Sequence, residues 1–429
     1  MKFGGTSVAN FEAITRTIFI IGGRLDQKPV VVVSALSKVT DLLYKISDSA
    51  AAGNAAEMEE LLAQLRKRHV DLVGELLEQS PMLMEKAVAE VNRICDELDG
   101  LARAVCAVKE LSDRNKAIII SNGELLSSTV ICFAMNAKGI QTAWIDARKM
   151  MITNDSYLKG EPVVDEILTR VPGAVSEAYQ GMDAVITQGF IASNLQGKQT
   201  VLGRGGSDYS ASLIGLAVDA EKIEIWTDVD GFMTADPRVI PTAYTINELS
   251  YIEAMELCNF GAKVIYPPTI YPVCVKNIPI RVKNTFNTDN PGTIIKNKID
   301  NDRKPIKGIS SINDTDLITV QGLGMVGVVG VNHRIFRALA NAGISVFLVS
   351  QASSENSTSL GLRHVDADKA CEVLNKEFEK EISMGLMEGV RATSNLSTVA
   401  IVGENMRHNA GIIGKLFQTL GRNGINVIA

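Results

Sequence analysis

Four segments of this sequence place glycine, hydroxyl and charged side chains where a β-rich run hands over to a turn or helix, which is where open α/β sheets bind ligands. In the first, Lys2-Phe3-Gly4-Gly5-Thr6-Ser7 leads into a helical pattern from Asn10 to Ile21. Glycine lets backbone N–H groups approach an anion, Ser7 or a neighbour supplies a cap, the helix N-terminus adds partial positive charge, and Lys2 can reach a phosphate. An ordinary Gly-Gly turn beside a surface lysine uses the same residues. The second, Gly203-Arg204-Gly205-Gly206-Ser207-Asp208, lies between the strand-like Thr200-Val201-Leu202 and a helix running to Val218. It offers the same anion cradle, with Arg204 for bidentate contact to carboxylate or phosphate. A flexible linker has similar composition but lacks apolar structure on both sides. The third, Glu224 to Gly231 with Asp236-Pro237-Arg238, presents Thr227 and Asp228 to a ribose or base edge, although Asp-Gly and Asp-Pro are also plain turn chemistry. The fourth, Ser121-Asn122-Gly123-Glu124, sets a carboxylate at an expected strand-to-helix turn, where an acid also serves simply to stabilise the helix dipole. These loops lack both the Walker ending Gly-Lys-Ser/Thr and the Gly-x-Gly-x-x-Gly fingerprint.

Such loops need elements to hold them. Runs at Val30–Ser34, Ala117–Ser121, Thr142–Ile145, Ala184–Gln188, Lys222–Thr227 and Ile280–Val282 read as strands alternating with helices, which predicts a mainly parallel, doubly wound sheet. From Asp41 to Glu110 apolar residues recur at spacings of three and four (Leu42, Leu43, Ile46; Met58, Leu62, Leu65; Val70, Val73, Leu77), predicting covering helices. Near residue 300 a polar, turn-rich stretch places a domain boundary.

The composition supports large cores: 46% of the 429 residues are hydrophobic and 21% charged, far from the corner occupied by disordered chains. With 43 Lys+Arg against 49 Asp+Glu, the net charge of −6 and the absence of a basic run argue against a nucleic-acid partner. By this reading no apolar run approaches the roughly 18 residues of a membrane span and the N-terminus carries no signal segment, so a cytosolic protein is expected. The six cysteines and four histidines are scattered, which predicts reduced thiols, surface or capping imidazoles, and no metal cage.

Beyond residue 305 the sequence repeats. Gly322, Met325, Gly330, Ile335, Phe336, Leu339, Gly343, Ile344 and Val346 return as Gly403, Met406, Gly411, Leu416, Phe417, Leu420, Gly424, Ile425 and Val427, always 81 residues later. Each copy reads as strand, glycine turn, amphipathic helix, glycine turn and strand, a small α+β unit used twice. The offset carries Leu348 onto Ala429, so the chain is expected to stop inside the second copy.

Lys-Phe-Gly-Gly-Thr-Ser at 2–7, Gly-Arg-Gly-Gly-Ser-Asp at 203–208, Trp-Thr-Asp-Val-Asp-Gly at 226–231, Asp-Pro-Arg at 236–238 and Phe-Gly-Ala-Lys at 260–263 together resemble the aspartokinases, in that family's order. The repeat resembles the paired ACT regulatory modules that follow its kinase domain. Met255-Glu256-Leu257, 307–310 and 350–355 look most like the aspartokinase half of bifunctional aspartokinase/homoserine dehydrogenases, although no nicotinamide fingerprint is present. Two positions depart from the pattern: Met233 stands where Tyr is frequent, and only Met1 precedes Lys2, so the first strand should be short.

The resemblance implies an α/β fold, an amino-acid-kinase-like α/β/α sandwich over 1–300, followed by α+β ACT modules at 305–385 and 386–429, with strand exchange between them. It implies transfer of phosphate from ATP, with Mg²⁺, to the side-chain carboxylate of L-aspartate. That carboxylate has a reference pKa of roughly 3.9 and needs no general base, which agrees with a site lacking catalytic His or Cys. By the same resemblance Lys2 and Asp208 are catalytic. Ser34, Thr40, Glu124, Arg204 and Ser207 bind aspartate, with Arg204 on the α-carboxylate and Glu124 on the ammonium. Lys2, Gly4, Gly5, Gly206, Thr227, Asp228, Arg238 and Lys263 bind nucleotide. Ser350, Gln351, Ser353 and Glu355 form an effector loop for threonine or, second, lysine, and a homodimer forms through the ACT modules. The rivals are a kinase for another acidic amino acid and a non-catalytic amino-acid sensor.

Overall fold

A computed structural model describes residues 1–297, 299, 304–354 and 356–428. The chain divides into two compact units, Met1–Arg303 and Lys304–Ala429.

The first unit runs β1 (Lys2–Phe3), α1 (Phe11–Gly22), β2 (Val30–Val33), α2 (Val39–Ala51), α3 (Ala55–Leu77), α4 (Pro81–Val108), α5 (Asp113–Ala137), β3 (Thr142–Ile145), β4 (Ile152–Thr153) and α6 (Val164–Ala178). It continues with β5 (Ala184–Gln188), β6 (Ile191–Asn194), β7 (Gln199–Val201), α7 (Gly206–Ala217), β8 (Ile223–Thr227), β9 (Glu248–Ser250), α8 (Tyr251–Asn259), α9 (Ile270–Val275), β10 (Ile280–Asn284) and β11 (Thr293–Lys296). Eight strands form one sheet in the order β3-β5-β2-β1-β8-β10-β11-β9, and β4-β6-β7 form a small second sheet. Every neighbouring pair in the large sheet is parallel except β10 with β11. All five residues of β5 are buried, as a strand covered by helices on both faces requires.

β1 has only two residues, yet it lies at the centre: Lys2 and Phe3 are in register with Val32 and Val33 of β2 on one side and with Ile225 and Trp226 of β8 on the other. Because these strands run the same way, Gly4, Ser34 and Asp228 leave the sheet at one edge. The crevice outside that edge, where the chain departs in two directions, is the usual ligand position of such a sheet.

Three expectations are corrected here. Ala117–Ser121 is not a strand but part of α5, and Ser121-Asn122-Gly123-Glu124 is therefore mid-helix rather than a strand-to-helix turn. A helix buried nearly all round shows no polar stripe, so its apolar run is indistinguishable by periodicity from a buried strand. By length and apolarity α5 also passes the test for a membrane span, but 83% of the relevant window is buried inside this fold, where it packs on β2, β3 and β5. Among the histidines, His333 and His364 are exposed, the side chain of His408 lies outside the described residues, and His69 is fully buried. Burial pushes the His69 imidazole down to about 4, and its Nδ1 bonds to Leu65 O at 2.8 Å. The six cysteines are free thiols.

The second unit contains β12 (Gly308–Gln321), α10 (Val331–Asn341), β13 (Leu348–Gln351), β14 (Ser357–Leu362), α11 (His364–Glu377), α12 (Glu379–Ser383), β15 (Arg391–Val402) and α13 (Ile412–Arg422). Its antiparallel sheet has the order β13-β14-β12-β15. The 81-residue offset is visible in the fold. β12 and β15 end at Gln321 and Val402, α10 and α13 cover equivalent positions, and the glycines before the two helices, Gly330 and Gly411, have φ of 92° and 87°. The long strands pair with each other, Gly308 opposite Val402 and Thr319 opposite Arg391. Apolar residues of β12, α10, β14 and α11 build a separate core.

Candidate active site

The crevice is built from three turns and one helix. After β1, Gly4 N donates to Trp226 O at 3.0 Å, and Gly5–Val8 forms a short 3₁₀ helix. Ser7 does not cap α1. Asn10 does, accepting from Ala13 N at 3.0 Å, while Ser7 is buried with its Oγ 2.7 Å from Thr285 Oγ1, fixing this turn to the one after β10.

Lys2 enters from β1, and its Nζ stands 2.6 Å from Asp208 Oδ1 in the first turn of α7. Asp208 Oδ1 has no aligned hydrogen-bond donor, so the contact is an ion pair without hydrogen-bond geometry, while Oδ2 accepts weakly from Tyr266 N at 3.4 Å. α7 begins from Gly205, whose φ of 73° favours glycine, and a Cβ there would lie 2.3 Å from the Tyr266 ring. Gly206 and Ser207 are buried beside Asp208, whereas Arg204 is exposed at the rim.

On the β2 side, Glu124 projects from the middle of α5. Its Oε1 accepts from Ala35 N at 3.1 Å, and its buried Oε2 has no hydrogen-bond partner. Burial pushes this carboxyl up to about 8, against the opposing effect of the Ala35 bond. One turn on, Ser127 Oγ donates to Ser34 O at 2.8 Å, so α5 grips the β2 turn at two points. The helix can come this close because residue 123 is glycine: a Cβ would stand 2.7 Å from the Ala35 methyl. Ser34 and Thr40 are half-buried nearby in sequence, Thr40 in the first turn of α2.

The remaining candidates are more scattered. Thr227 ends β8, with its Oγ1 donating to Asp228 Oδ1 at 3.3 Å. Arg238 is exposed and paired with Asp236 at 2.7 Å, and Lys263 is exposed after α8. In the second unit Ser350 and Gln351 end the edge strand β13 instead of forming a loop, and Asn332 Nδ2 donates to Gln351 Oε1 at 2.9 Å. Ser353 is exposed in the following turn, and Glu355 lies outside the described residues.

Sequence reasoning did not single out Ser127, Tyr266, Thr285 or Arg68. Ser127 had a usable signal, its i, i+3 spacing from Glu124 on one helix face. The other three act from distant elements and carry no local motif.

A buried lysine on the central strand, a buried carboxyl group beside the turn after the next strand with one oxygen lacking a hydrogen-bond partner, and a glycine-led helix N-terminus are the charged and polar features of this part of the sheet. The family model for the amino acid kinase family matches residues 1–284, and an ACT domain model matches 318–378 and 399–429. Lysine-sensitive aspartokinase 3 of Escherichia coli is 32% identical over the whole chain and 92% of its own length. The chain belongs to the amino acid kinase family, as an aspartokinase-family member. E. coli aspartokinase III in complex with aspartate and ADP has a TM-score of 0.82 to it at 30% identity, covering 98% of this chain and 91% of that one. The bifunctional aspartokinase/homoserine dehydrogenase of Haemophilus influenzae is 34% identical over the whole chain and 52% of its own length. This aspartokinase-family chain thus spans about half the length of the bifunctional relatives it matches.

Proposed function

We propose that the first unit transfers the γ-phosphoryl group of ATP to the side-chain carboxylate of L-aspartate, giving ADP and 4-phospho-L-aspartate. The observation that carries this reading is that buried Lys2, on β1 and paired with Asp208, and buried Glu124, bonded at the turn after the neighbouring β2 and with no hydrogen-bond partner for Oε2, belong to adjacent strands of one sheet. A cation suits the transferring phosphoryl group, and a carboxylate oxygen without a hydrogen-bond partner suits the substrate ammonium. The aspartate complex of the E. coli relative supports the choice of acceptor.

Phosphoryl transfer needs positioning and charge neutralisation more than covalent help. A carboxylate oxygen of aspartate attacks the γ-phosphorus as the bond to the ADP oxygen breaks. Lys2 bears on the phosphoryl oxygens, Gly4, Gly5 and Gly206 leave room for the phosphates to approach the backbone, Arg204 grips the α-carboxylate, and Glu124 takes the ammonium. Ser34, Thr40 and Ser207 complete the acceptor pocket, while Thr227, Asp228, Arg238 and Lys263 serve the nucleotide. Among the described residues no group of three or more His, Cys, Asp or Glu could hold a metal. That suits Mg²⁺, which is typically held by substrate phosphates, water and at most a carboxylate or two, and which would neutralise phosphate charge when bound. Asp208 keeps Lys2 in place.

The ACT-matching unit makes feedback control part of this reading. Threonine is favoured over lysine by the similarity to bifunctional enzymes, and a homodimer through residues 305–429 is the expected assembly. A coupled ADP-release assay with aspartate, glutamate or no acceptor tests the activity. Aspartate-dependent ADP release is expected, with the acyl phosphate product converted by added hydroxylamine to a hydroxamate as inorganic phosphate leaves, and release independent of the acceptor rejects it. Inhibition by lysine with no response to threonine would reverse the effector order.

A further inference from the structure

Arg68 lies on α3, in the helical excursion outside the sheet, yet its guanidinium reaches both turns that frame the crevice. Nη1 donates to Ser37 O at 2.9 Å and Nη2 to Ala9 O at 3.2 Å. These carbonyls close the turns leaving β2 and β1. The same turns meet directly where Ser37 N donates to Gly5 O at 3.1 Å. Among the described residues no carboxylate lies within 4 Å of the Arg68 guanidinium, so it holds backbone oxygens only.

α3 is itself firmly seated. Leu65, His69, Leu72 and Val73 are buried, and Arg66 donates to Asn92 Oδ1 at 3.0 Å and Asp96 Oδ1 at 2.6 Å on α4. Two arginines two residues apart therefore tie one helix to α4 and to the crevice. A planar fork of donors can fix the separation of two carbonyls, whereas a lysine ammonium on a flexible stem cannot match that geometry.

We propose that Arg68 is a positioning residue for phosphoryl transfer: it sets the spacing between the Gly4–Ala9 turn, which faces the nucleotide phosphates, and the Ser34–Lys38 turn, which faces the acceptor. The inference rests on the kinase reading above. Misplacement of reacting groups by about 1 Å can cost about 100-fold in rate, so the residue acts on turnover without touching either substrate.

The test compares wild type with Arg68→Met and Arg68→Lys in the full chain, by steady-state kinetics and by hydrogen exchange of peptides spanning the two turns. In Arg68→Met, kcat should fall about 10- to 100-fold while KM for aspartate and ATP moves less than about threefold, since the binding groups remain. Exchange should accelerate in both turns together and not within α3. Arg68→Lys should show the same pattern, and guanidinium added to Arg68→Ala should restore part of the lost rate. A kcat within about twofold of wild type, or exchange unchanged in either turn, overturns the inference. If wild type lacks aspartate-dependent turnover, the substrate assignment fails, and the paired change in exchange still decides the role of Arg68. If Arg68→Met does not fold, the lysine variant decides by the same two readings.

Discussion

Lys2 Nζ stands 2.6 Å from Asp208 Oδ1, with the two side chains 10% and 12% exposed, so the central strand and the start of α7 are joined by an ion pair almost out of solvent. Removing one member leaves the other charge buried alone, which for fully buried pairs costs roughly 3–5 kcal/mol. Lys2→Met should therefore lose both stability and turnover, the latter by about 10²- to 10³-fold if the ammonium neutralises the transferring group. The double variant Lys2→Met/Asp208→Asn separates the two effects. Its thermal midpoint should recover towards wild type while ADP release stays low; recovered activity would remove Lys2 from the chemistry.

Glu124 should contribute a part of the unliganded protein's stability that is lost as pH rises. Burial raises its folded pKa from 4.5 to about 8, so between these values the native state keeps a proton that the unfolded chain has lost. Its contribution to stability then falls with increasing pH through that window, by at most roughly 1.4 kcal/mol per unit, and levels off above it, while burial of His69, lowered from 6.5 to about 4, and of the Met1 ammonium, lowered from 8.0 to about 6, adds contributions of the opposite sign. The difference between the Glu124→Gln and wild-type curves isolates this contribution: the variant should match wild type near pH 4.5 and exceed it at pH 8. Calorimetry in buffers of different ionisation enthalpy supplies the functional half. Aspartate binding at pH 7 should release close to one proton from wild type, because the incoming ammonium favours the carboxylate, and none from Glu124→Gln.

The parallel sheet was legible in sequence because its strands are short β-branched runs between turn signals; Thr142–Ile145 and Ala184–Gln188 have the bounds read from the residues. Lys2, Asp208 and the glycine turns were legible as loops at strand ends. Ala117–Ser121 was misread because α5 is buried on nearly every side, and that error moved Glu124 from a turn to mid-helix. Arg68 was illegible for another reason: its two acceptors are main-chain carbonyls 31 and 59 residues away, and backbone acceptors leave no mark on residue type.

Gly123 and Gly100 offer matched tests of what a methyl group does in a helix. In α4, Gly100 is exposed and an added Cβ meets nothing within 4 Å, so Gly100→Ala should gain about 0.5–1 kcal/mol from helix propensity. In α5 the Cβ of Gly123→Ala would press on the Ala35 methyl at 2.7 Å, with Leu43 and Val39 behind it at 3.2 and 3.3 Å. Overpacking of this kind costs about 1–3 kcal/mol and outweighs the propensity gain. Because Ala35 N also holds Glu124, KM for aspartate should rise with the loss of stability. Denaturant midpoints shifting in the same direction for both variants would contradict the close approach.

The second unit makes a sharper prediction from its repeat. Lys307 N donates to Val402 O at 2.8 Å and Glu388 N to Gln321 O at 2.9 Å, two bonds related by the 81-residue offset with donor and acceptor taken from opposite copies. The glycines beside those acceptors follow the same exchange: a Cβ on Gly322 would lie 2.4 Å from Leu386 O, and one on Gly403 would lie 2.2 Å from Pro305 O. Each copy is thus completed by the lead-in segment of the other, and β12 and β15 form a single seam. Two independent modules would confine damage to the copy that is mutated. A shared seam predicts that Gly322→Ala and Gly403→Ala destabilise the unit by similar amounts, about 1–3 kcal/mol each, since backbone carbonyls cannot swing aside as a flexible side chain would. Hydrogen exchange should then rise in peptides from both 305–321 and 386–402 in either variant. The first unit supplies the internal control: its β5 and β8 peptides should be unchanged, because those strands have their own core. Exchange confined to one long strand would mean that the two copies fold separately.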